Sequence, residues 1–349
     1  MIMTKSLPYS YYTSEMIKNN KKILRQDNRQ QTILFDMDDM TSDSFEADNG
    51  RGEDTRQEPV ETTVSSTSMR FISFGSGSSG NCSYVGTETS GILVDAGVDV
   101  DKVFTTLAQN GVMPSMVKGL CLTHDHGDHI RYAYKISRKY KHIRIYCTPR
   151  VLNGILRRHN ISRRIKDYHE PIFKEIPFTL AGMKITAFEV SHDGSDNAGF
   201  MIEYDDNKFV LATDLGCISD RADFYMKQAN YLMIESNYDA GMLDKGTYPE
   251  YLKNRIRAAN GHLDNKIASS FVADNYSSEL KYIFLCHLSH DNNTPEIAKQ
   301  EMVSALAAKG VTVGEGEGSL SDRTKDVQLV ALPRFDPSSW FVLRKKSVI

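Results

Sequence analysis

Residues 120–130 read LCLTHDHGDHI, and this stretch restricts the fold more than any other part of the chain. An apolar run leads directly into three histidines and two aspartates within six positions. A core could not hold these side chains unpaired, because burying a polar or charged group without a partner is costly. Imidazole and carboxylate groups are instead ligands that Zn, Mn and Fe ions accept in proteins. The stretch therefore predicts a metal site directly after a β-strand.

A tight loop can turn alternate residues to the same side, so His124 and His126 are predicted to converge on one ion. Asp128 and His129 are then expected to point to a second ion close by. Two ions need more ligands than this loop supplies. Three further candidates follow strand-like runs: His192 in EVSHDG, Asp214 in LATDLG and His287 in LCHLSH.

The chain divides near residue 68 into two parts of different composition. Residues 1–68 hold 8 Lys and Arg against 12 Asp and Glu, with few apolar residues after position 37, which predicts a flexible acidic extension. From residue 69, short strand-like runs come first and strand–helix units follow, with HIRYAYKISRKYK predicted as a single helix. Because α/β folds place their chemistry at strand ends, residues 69–349 are expected to form one α/β domain with its site at those ends.

Cysteine and apolar content indicate the compartment. The five cysteines are scattered without a CxxC pair, which excludes a zinc ribbon and indicates reduced thiols. No apolar run approaches the roughly 20 residues of a membrane span, and the first residues contain no apolar signal region. We therefore expect a cytoplasmic protein that does not enter a membrane.

The histidine and aspartate pattern resembles that of the metallo-β-lactamase superfamily from about residue 69 onward. The resemblance implies an αββα four-layer sandwich that binds two divalent metal ions, Zn or Mn. It assigns three ligands to one ion: His124, His126 and His192. It assigns three to the other: Asp128, His129 and His287. Asp214 would bridge the two ions.

Longer segments narrow the resemblance to the YycJ/WalJ branch, whose members act as 5′-to-3′ DNA exonucleases. These segments are FGSGSSGNCSYV, GTYPEYLKNRI, NGHLDN and LCHLSHDNNTPE. The chain departs from the branch at Asp264, where GHLSN is usual, and the acidic extension is not part of the common core. The resemblance implies a DNA exonuclease with a role in DNA repair.

Two residues are predicted to act in catalysis. Paired ions would activate water for attack on a phosphodiester and neutralise charge on the phosphoryl oxygens. Asp214 is predicted to orient that water and accept its proton. His262 in NGHLDN is predicted to contact the scissile phosphate, as the matching histidine does in related phosphodiesterases, and a helix predicted after it adds positive partial charge. An ordinary loop histidine at a turn is the alternative.

Charge and a Gly/Ser loop predict the substrate contacts. Residues 131–166 contain 12 Lys and Arg and no acidic residue, a composition that attracts DNA phosphates, with Arg131 and Lys135 as candidates. The loop GSGSSGN offers backbone N–H groups to phosphate, with three more candidates: Ser78, Ser79 and Asn81. A solvated helix face and a tight turn are the respective alternatives. A small-molecule or cyclic-phosphate phosphodiesterase, and a metal-stabilised regulatory module, are the competing functions.

The extension contains one short motif. Gln31, Leu34 and Phe35 in RQQTILF are spaced as in the Q-x-x-L-F peptides that dock in the cleft of bacterial sliding clamps. A sliding clamp is therefore a predicted partner through residues 31–35. The alternative is a short apolar patch that folds back on the core.

Overall fold

A computed structural model describes residues 68–316 and 324–344. The predicted extension, with Gln31, Leu34 and Phe35, lies outside these residues, except that Ser68 begins the first strand. Among the helices of these two ranges, none has the length and apolar character needed to cross a membrane.

One mixed sheet is built largely from the first half of the described chain. Its strands are β1 (Ser68–Gly75), β2 (Cys82–Gly86), β3 (Gly91–Val94), β4 (Val117–Cys121), β5 (Arg144–Cys147), β6 (His169–Pro171) and β15 (Phe341–Arg344). The order across the sheet is β15-β1-β2-β3-β4-β5-β6. The pairs from β15 to β3 are antiparallel and those from β3 to β6 are parallel.

A second mixed sheet holds the strands that follow. They are β7 (Phe178–Leu180), β8 (Met183–Glu189), β9 (Ala198–Tyr204), β10 (Asn207–Ala212), β11 (Tyr231–Glu235), β12 (Tyr282–Cys286), β13 (Val313–Glu315) and β14 (Val327–Ala331). Their order is β13-β14-β12-β11-β10-β9-β8-β7. Strands β10, β11 and β12 run parallel, so their carboxyl ends meet at one edge of the sheet.

Two groups of helices flank the sheets. The first group is α1 (Val100–Gln109), α2 (Gly127–Ile130), α3 (Ala133–Lys139) and α4 (Pro149–Arg158). The second is α5 (Asp220–Met226), α6 (Ala240–Lys245), α7 (Glu250–Arg257), α8 (Asn265–Asp274) and α9 (Pro295–Ala307). Short 3₁₀ turns span Pro114–Met116 and Arg163–Tyr168. Apolar residues of α1, α3 and α4 share one buried cluster with the first sheet, and those of α5, α8 and α9 share another with the second.

A third apolar cluster lies between the two sheets. Phe71 of β1 packs there against Phe209 of β10 and Phe284 of β12, with ring centroids 4.9 and 4.6 Å apart. Aromatic pairs at such distances bury much apolar surface in preferred tilted arrangements. The three clusters therefore separate four layers, helix–sheet–sheet–helix, which confirms the predicted αββα sandwich.

The helix predicted for HIRYAYKISRKYK is interrupted, and the prediction is wrong at that point. α2 ends at Ile130 and α3 begins at Ala133. Ala96, two residues after β3, accounts for the break, because the Ala96 N–H donates to the His129 carbonyl at 2.6 Å and the Tyr132 N–H donates to the Ala96 carbonyl at 2.8 Å. These bonds fix the turn that carries His129 against the end of the first sheet.

Candidate metal centre

All seven predicted ligands come together at the strand ends. β4, β8, β10 and β12 each end one to three residues before a predicted ligand. The side chains form three overlapping groups in which one ligand atom per residue lies within 4.8 Å of the others: His124, His126 and His192; His124, His129 and Asp214; Asp128, His129 and His287. The fold thus gathers residues from four segments, and their roles as ligands stay predictions.

Three histidines make up the first group. His192 Nε2 lies 3.2 Å from His126 Nδ1, and the His192 Nδ1–H donates to the Gly261 carbonyl at 2.9 Å. That hydrogen bond leaves Nε2 without a proton in the neutral ring, which is the state a metal needs. His124 Nε2 is buried and has no hydrogen-bond partner.

Asp214 lies between this group and the second ligand group, which consists of Asp128, His129 and His287. Its Oδ1 is 3.6 Å from His192 Nε2, and its Oδ2 is 3.2 Å from His129 Nε2. Asp128 Oδ2 lies 3.5 Å from His129 Nε2 and 3.7 Å from His287 Nε2. Asp214 Oδ1 also lies 3.5 Å from His287 Nδ1, so the carboxylate contacts residues of both groups, a position that suits a bridging ligand.

The residues fit two divalent ions. Ligands about 2.0–2.2 Å from a tetrahedral ion lie about 3.3–3.6 Å from one another, and the contacts around Asp214 and Asp128 span 3.2–3.7 Å. His124 Nε2 and His287 Nε2 are buried nitrogens without hydrogen-bond partners. Unpartnered buried nitrogens are rare because they lose their hydration, and a cation at each group would satisfy them.

Two acidic residues that the sequence analysis missed accept hydrogen bonds from two of the predicted histidine ligands. His129 donates its Nδ1–H to Asp95 Oδ2 at 2.8 Å, and His287 donates its Nδ1–H to Glu235 Oε1 at 2.8 Å. Such partners fix ring orientation and leave the other nitrogen for a metal. Asp95 directly follows β3 and Glu235 is the last residue of β11. An acidic residue at the end of a wholly apolar strand is the signal that could have found both.

Glu235 is fully buried and accepts four hydrogen bonds. Its Oε2 accepts the Leu215 and Leu263 N–H groups at 2.6 and 3.0 Å. Its Oε1 accepts the Nδ1–H of His262 at 2.8 Å, in addition to that of His287. His262, the predicted phosphate contact, therefore shares the Glu235 carboxylate with His287 of the second ligand group.

The charges of the centre are strongly coupled. Burial would raise the pKa of Asp214, but His287 and His129 outweigh burial and hold that pKa well below its ordinary value. Burial would lower the pKa of His287, but Asp214, Asp128 and Glu235 raise it to about 10. Burial, helped by the adjacent His129, lowers the pKa of His124 well below its usual range. The metal-free centre thus holds ionised carboxylates beside both charged and neutral imidazoles.

Three residues of the centre have left-handed backbone conformations. Asp95, Asp214 and His287 have φ values of 63°, 54° and 54°. Non-glycine residues rarely adopt this region, and where they do so at a buried site the surrounding structure must hold them. Gly97 is also constrained, because a side chain there would collide with the Asp128 carbonyl. The backbone is therefore fixed where the predicted ligands leave the strands.

The Gly/Ser loop is only partly available to a substrate. Asn81 is buried, and its Nδ2 lies 3.2 Å from Asp128 Oδ2 and 2.9 Å from His129 Nε2. The backbone N–H groups of residues 76, 77, 80 and 81 have partners. Within the part of the chain that the structure describes, the N–H groups of Ser78 and Ser79 have none. Asn81 therefore supports the ligands, and the two exposed serines are the phosphate candidates that remain.

The predicted basic contacts are partly neutralised. The Arg131 Nη1–H donates to the Ser79 carbonyl at 3.0 Å, so Arg131 holds the Gly/Ser loop. Lys135 lies 3.4 Å from Asp99 of the α1 cap. Tyr132, Tyr134 and Tyr140 of the basic segment pack against the apolar cluster under the helices, and Tyr146 packs against the cluster between the two sheets. Arg150 and Arg157 are exposed, and they lie two turns apart on the same face of α4.

A cleft of about 180 Å³ opens beside the centre. Its lining includes Ser78, His192, Asp193, Tyr248, Arg255 and His262. The residues of the centre and those of helix α7 therefore face the same opening.

Comparison with known proteins agrees with this geometry. Residues 91–279 match the family model of the β-lactamase superfamily domain. The exodeoxyribonuclease YycJ of Bacillus anthracis is 34% identical over 247 residues, which cover 71% of this chain and 92% of that protein. The exodeoxyribonuclease WalJ of Streptococcus pneumoniae is 32% identical over 252 residues, which cover 72% and 93%.

A solved structure shares the fold at low identity. The metallo-β-lactamase fold protein YhfI from Bacillus subtilis superposes with a TM-score of 0.55 and 14% identity, covering 79% of this chain and 99% of YhfI. The family match spans most of the predicted ligands, and the two curated relatives align over more than nine-tenths of their length. The chain therefore belongs to the metallo-β-lactamase superfamily of metal-dependent hydrolases, in the branch of YycJ and WalJ.

Proposed function

We propose that this protein is a DNA exonuclease that hydrolyses phosphodiester bonds at a centre of two divalent ions, Zn or Mn. The observation that carries the proposal is the position of Asp214, with one oxygen 3.6 Å from His192 Nε2 and the other 3.2 Å from His129 Nε2. Relatives named exodeoxyribonucleases support a DNA substrate. The 5′-to-3′ direction and a role in DNA repair are part of the proposal and rest on the resemblance to their branch.

The residues around the ions have separate tasks. Two bound ions supply an activated water at neutral pH and neutralise charge on the phosphoryl oxygens. With the ions bound, the ionised Asp214 would orient the attacking water and accept its proton. His262, whose Nδ1–H is held by Glu235, presents Nε2 to the cleft. In this position His262 would contact an oxygen of the scissile phosphate.

Exposed cations offer further phosphate contacts to a polymeric substrate. Arg150 and Arg157 are exposed, and neither forms an ion pair with another described residue. A phosphate that pairs with such a cation releases counterions, so DNA affinity falls steeply with salt. A small-molecule phosphodiesterase needs no such surface.

The test uses purified full-length protein with Mn or Zn on duplex and single-stranded DNA labelled at either end. We expect mononucleotides to be released from the 5′ end, and an Asp128→Ala variant to release none. Hydrolysis of bis(p-nitrophenyl) phosphate with no digestion of DNA would contradict the proposal and favour the small-molecule alternative. Release from the 3′ end would contradict the polarity alone.

We also propose a sliding clamp as a partner through Gln31, Leu34 and Phe35. A short apolar motif with this spacing suits docking in a clamp cleft. Calorimetry of a peptide of residues 26–40 with a bacterial clamp tests this, with a Leu34→Ala plus Phe35→Ala peptide as control. Equal heats from the two peptides would rule the partner out.

A cytoplasmic location is the last part of the proposal. All five cysteines are free thiols and four of them are buried, which suits a reducing compartment.

A further inference from the structure

Asp193 connects the first histidine group to helix α7. Its Oδ1 lies 3.2 Å from His126 Nε2 and 3.5 Å from His192 Nε2. Its Oδ2 accepts a hydrogen bond from Arg255 Nε at 2.9 Å and lies 2.7 Å from Arg255 Nη2 in an ion pair. One carboxylate therefore faces the predicted metal ligands with one oxygen and a guanidinium with the other.

The hydrogen bond and the ion-pair contact with Asp193 orient the Arg255 guanidinium. They use one edge of the planar group, and its remaining N–H donors have no partner among residues 68–316 and 324–344. The side chain is 59% exposed and lines the cleft beside His262. A guanidinium that is already oriented loses less freedom when it binds a phosphate, for which its planar fork is well suited. Arg255 thus presents a prepared anion-binding edge to the cleft.

We propose, in an inference that rests on the proposed function, that Arg255 binds the DNA phosphate next to the scissile one. Asp193 is the residue that positions Arg255. A whole carboxylate group separates the guanidinium from the histidine nitrogens, so a phosphate among the histidines is not the one that Arg255 contacts. The neighbouring phosphate of the same strand is the next anion available. Arg255 would therefore act in substrate binding and not in the chemical step.

The size and lining of the cleft suit the binding of one unit of a polymer. Its volume of about 180 Å³ is below the roughly 300 Å³ at which pockets begin to enclose whole small molecules. Tyr248 and Leu252 also line the cleft and offer apolar surface beside Arg255. The cleft can thus hold a phosphate with part of its sugar while the rest of the strand lies outside.

The same helix supplies a matched control. Arg257 also lies on α7 and forms an ion pair with Asp244. Its side chain is 33% exposed, and it does not line the cleft. Arg257→Ala therefore removes the same charge from the same helix without touching the proposed phosphate contact.

The experiment compares DNA with a substrate that has only the scissile phosphate, bis(p-nitrophenyl) phosphate. We expect Arg255→Ala to raise KM for DNA about tenfold or more. The rise in KM for bis(p-nitrophenyl) phosphate should be at least about ten times smaller than the rise for DNA. DNA binding should also lose roughly one counterion, seen as a shallower plot of log affinity against log salt. Arg257→Ala should match the wild type in both assays. Metal content and melting temperature are measured for every variant.

Asp193→Asn tests the positioning role. If Asp193 acts through Arg255, Asp193→Asn alone raises KM for DNA and adds nothing in an Arg255→Ala background, because residues in one network are not additive. Arg255→Lys, which keeps the charge and loses the fork, gives an independent measurement if Arg255→Ala does not fold.

Each outcome is decisive. Equal losses on both substrates would place Arg255 at the metal centre, and an unchanged KM for DNA would remove it from the substrate site; either result overturns the inference. Both leave the proposed function standing if the wild type digests DNA. A wild type that digests no DNA would instead defeat the proposed function.

Discussion

His262 and His287 share one acceptor, because the Nδ1–H of each ring donates to Glu235 Oε1 at 2.8 Å. The two ring centroids are 5.2 Å apart. A predicted metal ligand and the predicted phosphate contact are thus held by the same buried carboxylate. We therefore expect a change at Glu235 to affect the predicted metal ligand and the predicted phosphate contact together.

Glu235→Gln tests this arrangement. The amide keeps one acceptor oxygen, and its NH₂ would face either the two imidazole N–H groups or the backbone N–H groups of Leu215 and Leu263. Leaving such buried donors unpaired costs about 1–3 kcal/mol each. We expect the free energy of unfolding to fall by about 2 kcal/mol and kcat to fall at least about tenfold.

Denaturant unfolding and hydrolysis of bis(p-nitrophenyl) phosphate measure the two effects. Glu189→Gln, at an exposed carboxylate that ends β8, is the control and should change neither. A Glu235→Gln protein with wild-type stability and kcat would show that the shared carboxylate has no such role.

Asp128→Ala is expected to remove the second ion. Asp128 is the carboxylate near both His129 and His287, at 3.5 and 3.7 Å. Without it, metal content should fall from about two ions to about one per chain, and hydrolysis should fall at least about 100-fold. Metal analysis of the purified proteins gives the ratio, with Asp101→Ala, an exposed aspartate paired with Lys139, as control. Two retained ions would argue against this ligand set.

The sequence could predict which side chains come together because His124, His192, Asp214 and His287 each lie one to three residues after an apolar strand, and their roles as ligands stay predictions. Parallel neighbours such as β10, β11 and β12 end at one edge of the sheet, so side chains far apart in sequence are brought close. His124, Asp214 and His287 could be identified from this pattern before any coordinates. The order of strands and helices predicted an α/β domain, and the four αββα layers were implied by the resemblance to the metallo-β-lactamase superfamily.

Interactions that join distant segments could not be predicted in this way. Arg255 and Asp193 are 62 residues apart, and His262 and Glu235 are 27 apart, with no local pattern that relates them. The charge on Lys135 was visible in the sequence, but its partner Asp99 belongs to the cap of another helix. Composition therefore overstated the free positive charge of residues 131–166.

Metal binding is expected to release protons at neutral pH. In the metal-free centre, Asp214 and other carboxylates outweigh burial and raise the pKa of His287 to about 10, and Asp214 and Asp95 raise that of His129 well above its ordinary value. Both imidazoles are then protonated at pH 7, whereas a metal needs them neutral. Lowering the pH favours the protonated rings, so metal affinity should weaken as pH falls.

Calorimetric titration with Zn in two buffers of different ionisation enthalpy measures this release. Asp214→Asn should reduce it, since Asp214 holds both pKa values up, and His142→Ala, at an exposed imidazole, should leave it unchanged. Heats that do not depend on the buffer would contradict the protonated state of the metal-free centre.

The basic segment should bind DNA mainly through the cations that have no ion-pair partner in the described chain. Arg150 and Arg157 are exposed on one face of α4, whereas Lys135 and Lys139 pair with Asp99 and Asp101. Each phosphate contact contributes roughly 0.9 to the slope of log affinity against log salt on duplex DNA. Arg150→Ala plus Arg157→Ala should therefore lower the slope by about two, and Lys135→Ala plus Lys139→Ala, which removes equal charge, should lower it by less. Anisotropy titrations at several salt concentrations measure both, and equal slopes for the two variants would favour an ordinary solvated helix face.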